Sequence, residues 1–343
     1  LSLVISHHTA LWMHCSPKFA SSAAVANYIE GPINASVTGE KVNRWYRPAL
    51  SELTGIPLAD LGSVDYLLSR DVARHPSPLS RPHSWCGPLP DRTLLSLGND
   101  IYLSAPKFTF LQLSGRYDLV ELSCIAMAMA GWYLPSQGEN GLSRHNPVVS
   151  IAQLKMPVCD IGKHWGIDKV ERATRWALDN SRSPMETSLA LLINTPRIRG
   201  GYGLVSPILN ARIYLSAESR VIYPHRYCEA DVSAPDSSLL FEYLGKAFHK
   251  EEHRDIRREL ALQREGYQLQ YVTIRQLLDP PQRNEIMRRY AHSAGDSLEP
   301  PTELIVRKRI ALLRRLLPDR GLVLEDGGVI QSLPGWALPI AWS

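Results

Sequence analysis

The chain has 343 residues, 44% of them hydrophobic, which is enough for two domains with cores of their own. Its formal charge of +4 is spread along the chain and permits a nucleic-acid partner without requiring one. Cys15, Cys86, Cys124, Cys159 and Cys228 stand far apart and never as CxxC, which argues against a disulfide framework or a zinc knuckle. No run approaches the roughly 18 apolar residues of a membrane-spanning helix. Leu1 to Ile5 is also too short for the apolar region of a signal peptide, so a cytoplasmic protein without a membrane partner is expected.

The first predicted element is a helix over SHHTALWMH, Ser6 to His14, with Ser6 as cap. His7, His8 and His14 are read as surface or packing residues, because adjacent imidazoles point apart on a helix and no acid or cysteine pair lies nearby in sequence. Asn43 to Gly62, with Pro48 and Pro57, predicts short helices joined by turns. Arg74 to Pro90 holds five prolines, each removing a backbone donor, and reads as an extended surface connector. Ile101 to Gly115 reads as one or two buried strands, and Asp118 to Trp132 as a buried helix in which Met127 and Met129 fill gaps. After a polar loop, Pro135 to Asn146, a helix is expected over Asp168 to Asp179, with Val170, Ala173, Trp176 and Ala177 on one stripe. No repeat and no Walker or dinucleotide glycine loop is present; Gly200, Gly201 and Gly203 in RGGYGL read as a flexible turn.

The region from Ser183 to Leu278 is richer in chemistry. Ser183, Pro184 and Glu186 spell a capping box at a helix start, which alone explains Glu186. Strands are expected at Ile208 to Leu215, Tyr227 to Ser233 and Leu239 to Leu244, the last two joined by a turn at Asp236 and Ser237. Asp231 and Glu242 fall inside these β-prone runs, where charge is costly unless partnered, and a cation is one partner that serves several acids at once. A helix with Asp255, Arg257 and Arg258 over Ile256, Leu260 and Leu262 follows, ended by Gly266, then the strand YQLQYVT and the short helix IRQLL.

Glu186, Asp231, Glu242 eleven positions later, and the run Glu242, Gly245, His249, Asp255 and Arg258 resemble the PD-(D/E)XK superfamily of restriction-endonuclease-like nucleases. Within it the pattern is most similar to small domains like the very-short-patch repair endonucleases. The resemblance covers Ser183 to Leu278, under a third of the chain, and implies an α/β fold with an αβββαβ core. It implies metal-assisted phosphodiester hydrolysis, with Mg²⁺ (or Mn²⁺) held by Asp231 and Glu242, and Glu186 on the metal or its water. One departure is plain: the lysine expected two residues after the second strand acid is Leu244. Lys246 or His249 would stand in as the group orienting water, and Arg258 would position phosphate or brace Asp255.

Beyond a linker from His292 to Pro301, TELIVRKRIALLRRLLPDR predicts an amphipathic helix with Leu304, Ile305, Leu312 and Leu316 on its apolar side. Arg307, Lys308, Arg309, Arg314 and Arg315 make it a candidate DNA-backbone contact, or else a solvated face packed on the nuclease domain. The tail, with Trp336 and Trp342, is apolar enough to fold back. The expected organisation is an α-rich accessory domain over 1–175, a nuclease domain over 176–290 and a basic helix with tail over 291–343. SHHTAL and FTFLQLS in the first part faintly resemble the regulatory regions of abortive-infection antitoxin-like proteins, which implies a defence or toxin-antitoxin setting and a protein partner for that part. Homo-oligomers are compatible with the sequence. The two functional expectations are a Mg²⁺-dependent DNA endonuclease and, alternatively, an inactive nuclease fold that binds DNA as a regulator.

Overall fold

The computed structural model describes residues 2–16, 19, 27–29, 35, 37–55, 57–59, 61–69, 72–85, 89, 92–135, 142–155, 166–244, 252–317 and 336–337. The chain divides into two compact units, Leu1–Arg175 with Ile340–Ser343, and Trp176–Pro339. Among the described residues no helix is long and apolar enough to cross a membrane. The protein is a mixed α/β chain in both units.

The first unit is not simply α-rich. Beside its helices it holds a five-stranded sheet, in the order β3-β2-β1-β5-β4, built from β1 (Leu3–Ile5), β2 (Val64–Leu68), β3 (Ser80–Ser84), β4 (Leu94–Gly98) and β5 (Ile101–Ser104). β1 and β2 are buried along their whole length, which explains why no alternation in sequence revealed them. The proline-rich stretch taken for a connector contributes β3, where Pro82 is tolerated because the strand lies at the sheet edge and pairs only with β2. Ile101 to Gly115 is one strand and one helix rather than two strands: β5 ends at Ser104, and Pro106 opens a helix to Leu113. Helix α1 (His7–Cys15) forms with Ser6 at its N-cap position but without the expected side-chain capping bond, and Asp118 caps the buried helix Leu119–Met129 with a complete capping box. Met127 and Met129 are fully buried there, and a two-stranded sheet of β6 (Tyr133–Pro135) and β7 (Leu142–Arg144) follows, the latter within the stretch expected to be a polar loop.

The second unit carries the site. Helix α2 (Pro184–Asn194) leads into β8 (Ile208–Tyr214), a short helix Ala217–Ile222, β9 (Tyr227–Ser233) and β10 (Leu239–Tyr243). Helix α3 (Glu252–Arg264) then crosses to β11 (Gln268–Val272), and Ile274–Leu278 and Pro280–Ser293 are helical. The sheet order is β11-β10-β9-β8, antiparallel from β8 to β10 and parallel between β10 and β11. Ala261 and Leu262 of α3 bury with Cys228, Ala230 and Leu240, whereas Ile256 and Leu260, expected beneath the helix, are about half exposed.

The carboxy-terminal helix α4 (Glu303–Leu316) belongs to this unit rather than to a separate domain. Its inward residues are Arg309, Leu312, Leu313 and Leu316, so Leu304, 54% exposed, lies off the apolar side assigned to it. Trp336 is buried and donates its indole N–H to Ser188 Oγ at 3.3 Å, while Trp342 lies outside the described residues. Gly200 and Gly201 of RGGYGL are close-packed, whereas Gly203 is exposed. A Cβ on Gly201 would stand 2.0 Å from the Thr195 carbonyl oxygen, and one on Gly200 2.4 Å from that of Lys308. Gly201→Ala is therefore expected to cost about 1–3 kcal/mol through overpacking, seen as a lower midpoint in thermal melts; an unchanged midpoint would show that the turn has room to yield.

Candidate functional site

Glu186, Asp231 and Glu242 come from three elements. Ser183 caps α2 by accepting from Glu186 N–H at 3.1 Å, but the return half of the capping box is not made. The Glu186 carboxylate instead accepts from Arg182 N–H at 2.8 Å and from Asn210 Nδ2 at 2.7 Å, and is buried. Asn210 sits where the β8–β9 register passes from Leu209↔Val232 to Ala211↔Ala230, with a left-handed φ of 50°. Opposite, the β9–β10 ladder is made at Ser233↔Leu240 and Val232↔Phe241, and Asp231 Oδ2 then accepts from Tyr243 N–H at 2.8 Å. A side chain thus takes the place of a main-chain acceptor beside Glu242.

The electrostatics join the three acids. Burial, and then the charge of Asp231, push both Glu186 and Glu242 up to about 7. Asp231 is itself raised by burial, against the opposing pull of the Tyr243 N–H, Arg258 and Arg182. Arg258 from α3 pairs with Glu242 Oε1 and also donates to the Glu229 carbonyl. It braces Glu242, not Asp255. Arg182 in turn grips Glu229, with its Nη2 2.9 Å from Oε1, and Arg212 Nε reaches the same carboxylate at 3.3 Å.

Among the described residues no three His, Cys, Asp or Glu side chains are placed to hold a metal ion together. Two of the acids fit a hard cation in a more limited sense: Asp231 and Glu242 are oxygen donors on the paired strands β9 and β10, and Mg²⁺ is commonly held by only one or two carboxylates with waters and substrate completing its shell. Lys246 and His249 lie outside the described residues, as do Gly245, Cys86 and Cys159. Leu244 follows β10, its N–H bonded to the Val272 carbonyl at 2.9 Å.

Of the basic residues on α4, Arg307, Arg314 and Arg315 are exposed and Lys308 half-buried. Arg309 is a correction. It is buried, donates to the Gly200 and Gly201 carbonyls at 3.2 and 3.0 Å, and stacks 3.7 Å over the Tyr202 ring, so it fixes the glycine turn and is not presented to a phosphate. Sequence reasoning missed Arg182 and Asn210; the one available signal was a polar residue interrupting ILNARIY.

It also missed an acid beside the amino-terminal histidines. Asp65 of β2 is buried, its Oδ1 2.7 Å from His83 Nε2 and its Oδ2 3.8 Å from His8 Nδ1, while His7 stacks on His83 at 3.7 Å. The strand pairing, not the sequence spacing, brings these residues together. Burial lowers His8 and His14 to about 4.

No protein-family model matches the chain, and no curated protein or solved structure matches it either.

Two pH effects of opposite sign follow. A glutamate at about 7 in the fold and near its ordinary value when unfolded keeps an extra proton in the folded state between about pH 4.5 and 7, so its contribution to stability falls as pH rises through that window. Glu186→Gln should raise the thermal midpoint relative to the parent above pH 7, with the difference vanishing near pH 4.5; a gap of the same size at both ends would contradict it. Neutral buried histidines act the other way. The unfolded chain takes up protons below about pH 6.5 that the folded one refuses until about 4, so stability falls with pH there, and His14→Gln should flatten that limb of the melting profile.

Proposed function

We propose that the second unit is a PD-(D/E)XK-like nuclease domain that hydrolyses phosphodiester bonds of DNA with Mg²⁺ or Mn²⁺. The observation that carries this reading is that Asp231 and Glu242 stand on the neighbouring strands β9 and β10, with Glu186 in the first turn of α2 and both glutamates pushed up to about 7; the order α2-β8-β9-β10-α3-β11, with the short helix Ala217–Ile222 inserted after β8, supports it. Mutual repulsion among buried acids is relieved by a cation, and functional sites are where such perturbed groups collect. Asp231 and Glu242 would hold the metal, which when bound supplies Lewis-acid charge neutralisation at the phosphate and a more acidic water. Glu186, poised near neutrality, suits acceptance of a proton from the attacking water. Arg258 fixes Glu242 and adds positive charge beside the acids. The exposed Arg307, Arg314 and Arg315 of α4, with Lys308, supply a non-specific contact to the nucleic-acid backbone.

The second reading, a nuclease fold that binds DNA without cutting it, is favoured by Leu244 at the expected lysine position and by the engagement of Glu242 with Arg258. A defence or toxin-antitoxin setting, with a protein partner for the first unit, would suit either activity. The purified chain is expected to nick or cut DNA with Mg²⁺ or Mn²⁺, faster above than below pH 7, and Glu242→Ala is expected to abolish cutting while melting as a folded protein. Cutting by the variant at the parental rate would remove Glu242 from the site, and DNA binding by both proteins without cutting by either would favour the regulator.

A further inference from the structure

The face of β8 and β9 that bears the site residues is ordered in ranks. Tyr214 pairs with Tyr227, Arg212 pairs with Glu229, and Asn210 lies between the next pairs, beside Asp231. Alternate strand residues share a face, so each strand presents a tyrosine, then a charged group, then a site residue. From Tyr227 to Asp231 is four residues, about 13 Å along the strand. Four side chains at the far end interleave: Arg226 lies 5.8 Å over Tyr214, Tyr214 meets Tyr227 edge-on at 6.0 Å, and Arg212 lies 4.8 Å over Tyr227. Tyr214 is 60% exposed on the edge strand of the sheet. In the middle rank two guanidiniums, Arg182 and Arg212, share the single carboxylate of Glu229, so that rank keeps a net positive charge.

We propose that this face is a track for a single strand of nucleic acid, with a base stacked on the exposed Tyr214 ring and the backbone led past Arg212 and Arg182 toward the carboxylates. The inference deepens the nuclease reading and rests on it for the identity of the acidic end. Charge and shape select the occupant. An aromatic ring flanked by arginines offers a π-face and a cation to each nucleotide, which is how sequence-tolerant single-strand binding is built. A duplex hides its base faces within its own stack, leaving Tyr214 nothing to stack on.

The test is fluorescence anisotropy in EDTA, so that cutting plays no part, with a labelled single-stranded oligodeoxynucleotide of about 12 nucleotides and a hairpin duplex of the same composition. The single strand is expected to bind more tightly than the duplex. Tyr214→Ala should weaken single-strand binding roughly tenfold, and Tyr214→Phe should retain it, since the ring and not the hydroxyl does the stacking. Equal affinity for Tyr214→Ala and the parent, or tighter binding of the duplex, overturns the track whatever the cutting assay gives. Weakened binding by Tyr214→Ala in a protein that cuts nothing would uphold the track and overturn the nuclease reading alone.

Discussion

The charge of Asp231 is what the second unit is built around. It stands in a strand whose other face carries Cys228, Ala230 and Val232, and burial outweighs the Tyr243 N–H and two arginines in setting its proton affinity. The consequences spread outward from that one group. Glu186 and Glu242 are displaced toward neutrality by burial and by its field. Around them, Arg258 of α3 pairs with Glu242, and Asn210, at a left-handed φ of 50°, donates to Glu186. Like charges held out of water cost stability, and such perturbed groups tend to collect at functional sites.

Much of the second unit was legible. The strands at Tyr227 to Ser233 and Leu239 to Tyr243 fall within a residue of their expected ends, because turn residues bracket short β-branched and aromatic runs. The helix beginning at Pro184 was announced by its serine cap. What the sequence hid was direction. Ile256, Leu260 and Leu304 look like core residues and face solvent, while Arg309 looks like a phosphate contact and is buried under Tyr202. On a helix dense with both charge and aliphatic groups, periodicity admits more than one inward stripe, and only packing chooses between them.

The first unit was less legible for a related reason. Its strands are short, β1 and β2 are buried along their whole length and so show no alternation, and β3 runs through a proline. Asp65 and His83 become neighbours only when β2 and β3 pair, a juxtaposition that no local pattern records. The carboxylates of the second unit were found because the elements carrying them follow one another closely in the chain; the histidines were set aside because their acid does not.

The most direct test of this account is the titration of the glutamate side chains by carbon-detected nuclear magnetic resonance, in the parent protein and in Asp231→Asn. The account predicts that Glu186 and Glu242 titrate near 7 in the parent and that both move down toward the ordinary glutamate range when the neighbouring charge is removed. Ordinary values in the parent, or values near 7 that ignore the loss of Asp231, would contradict it.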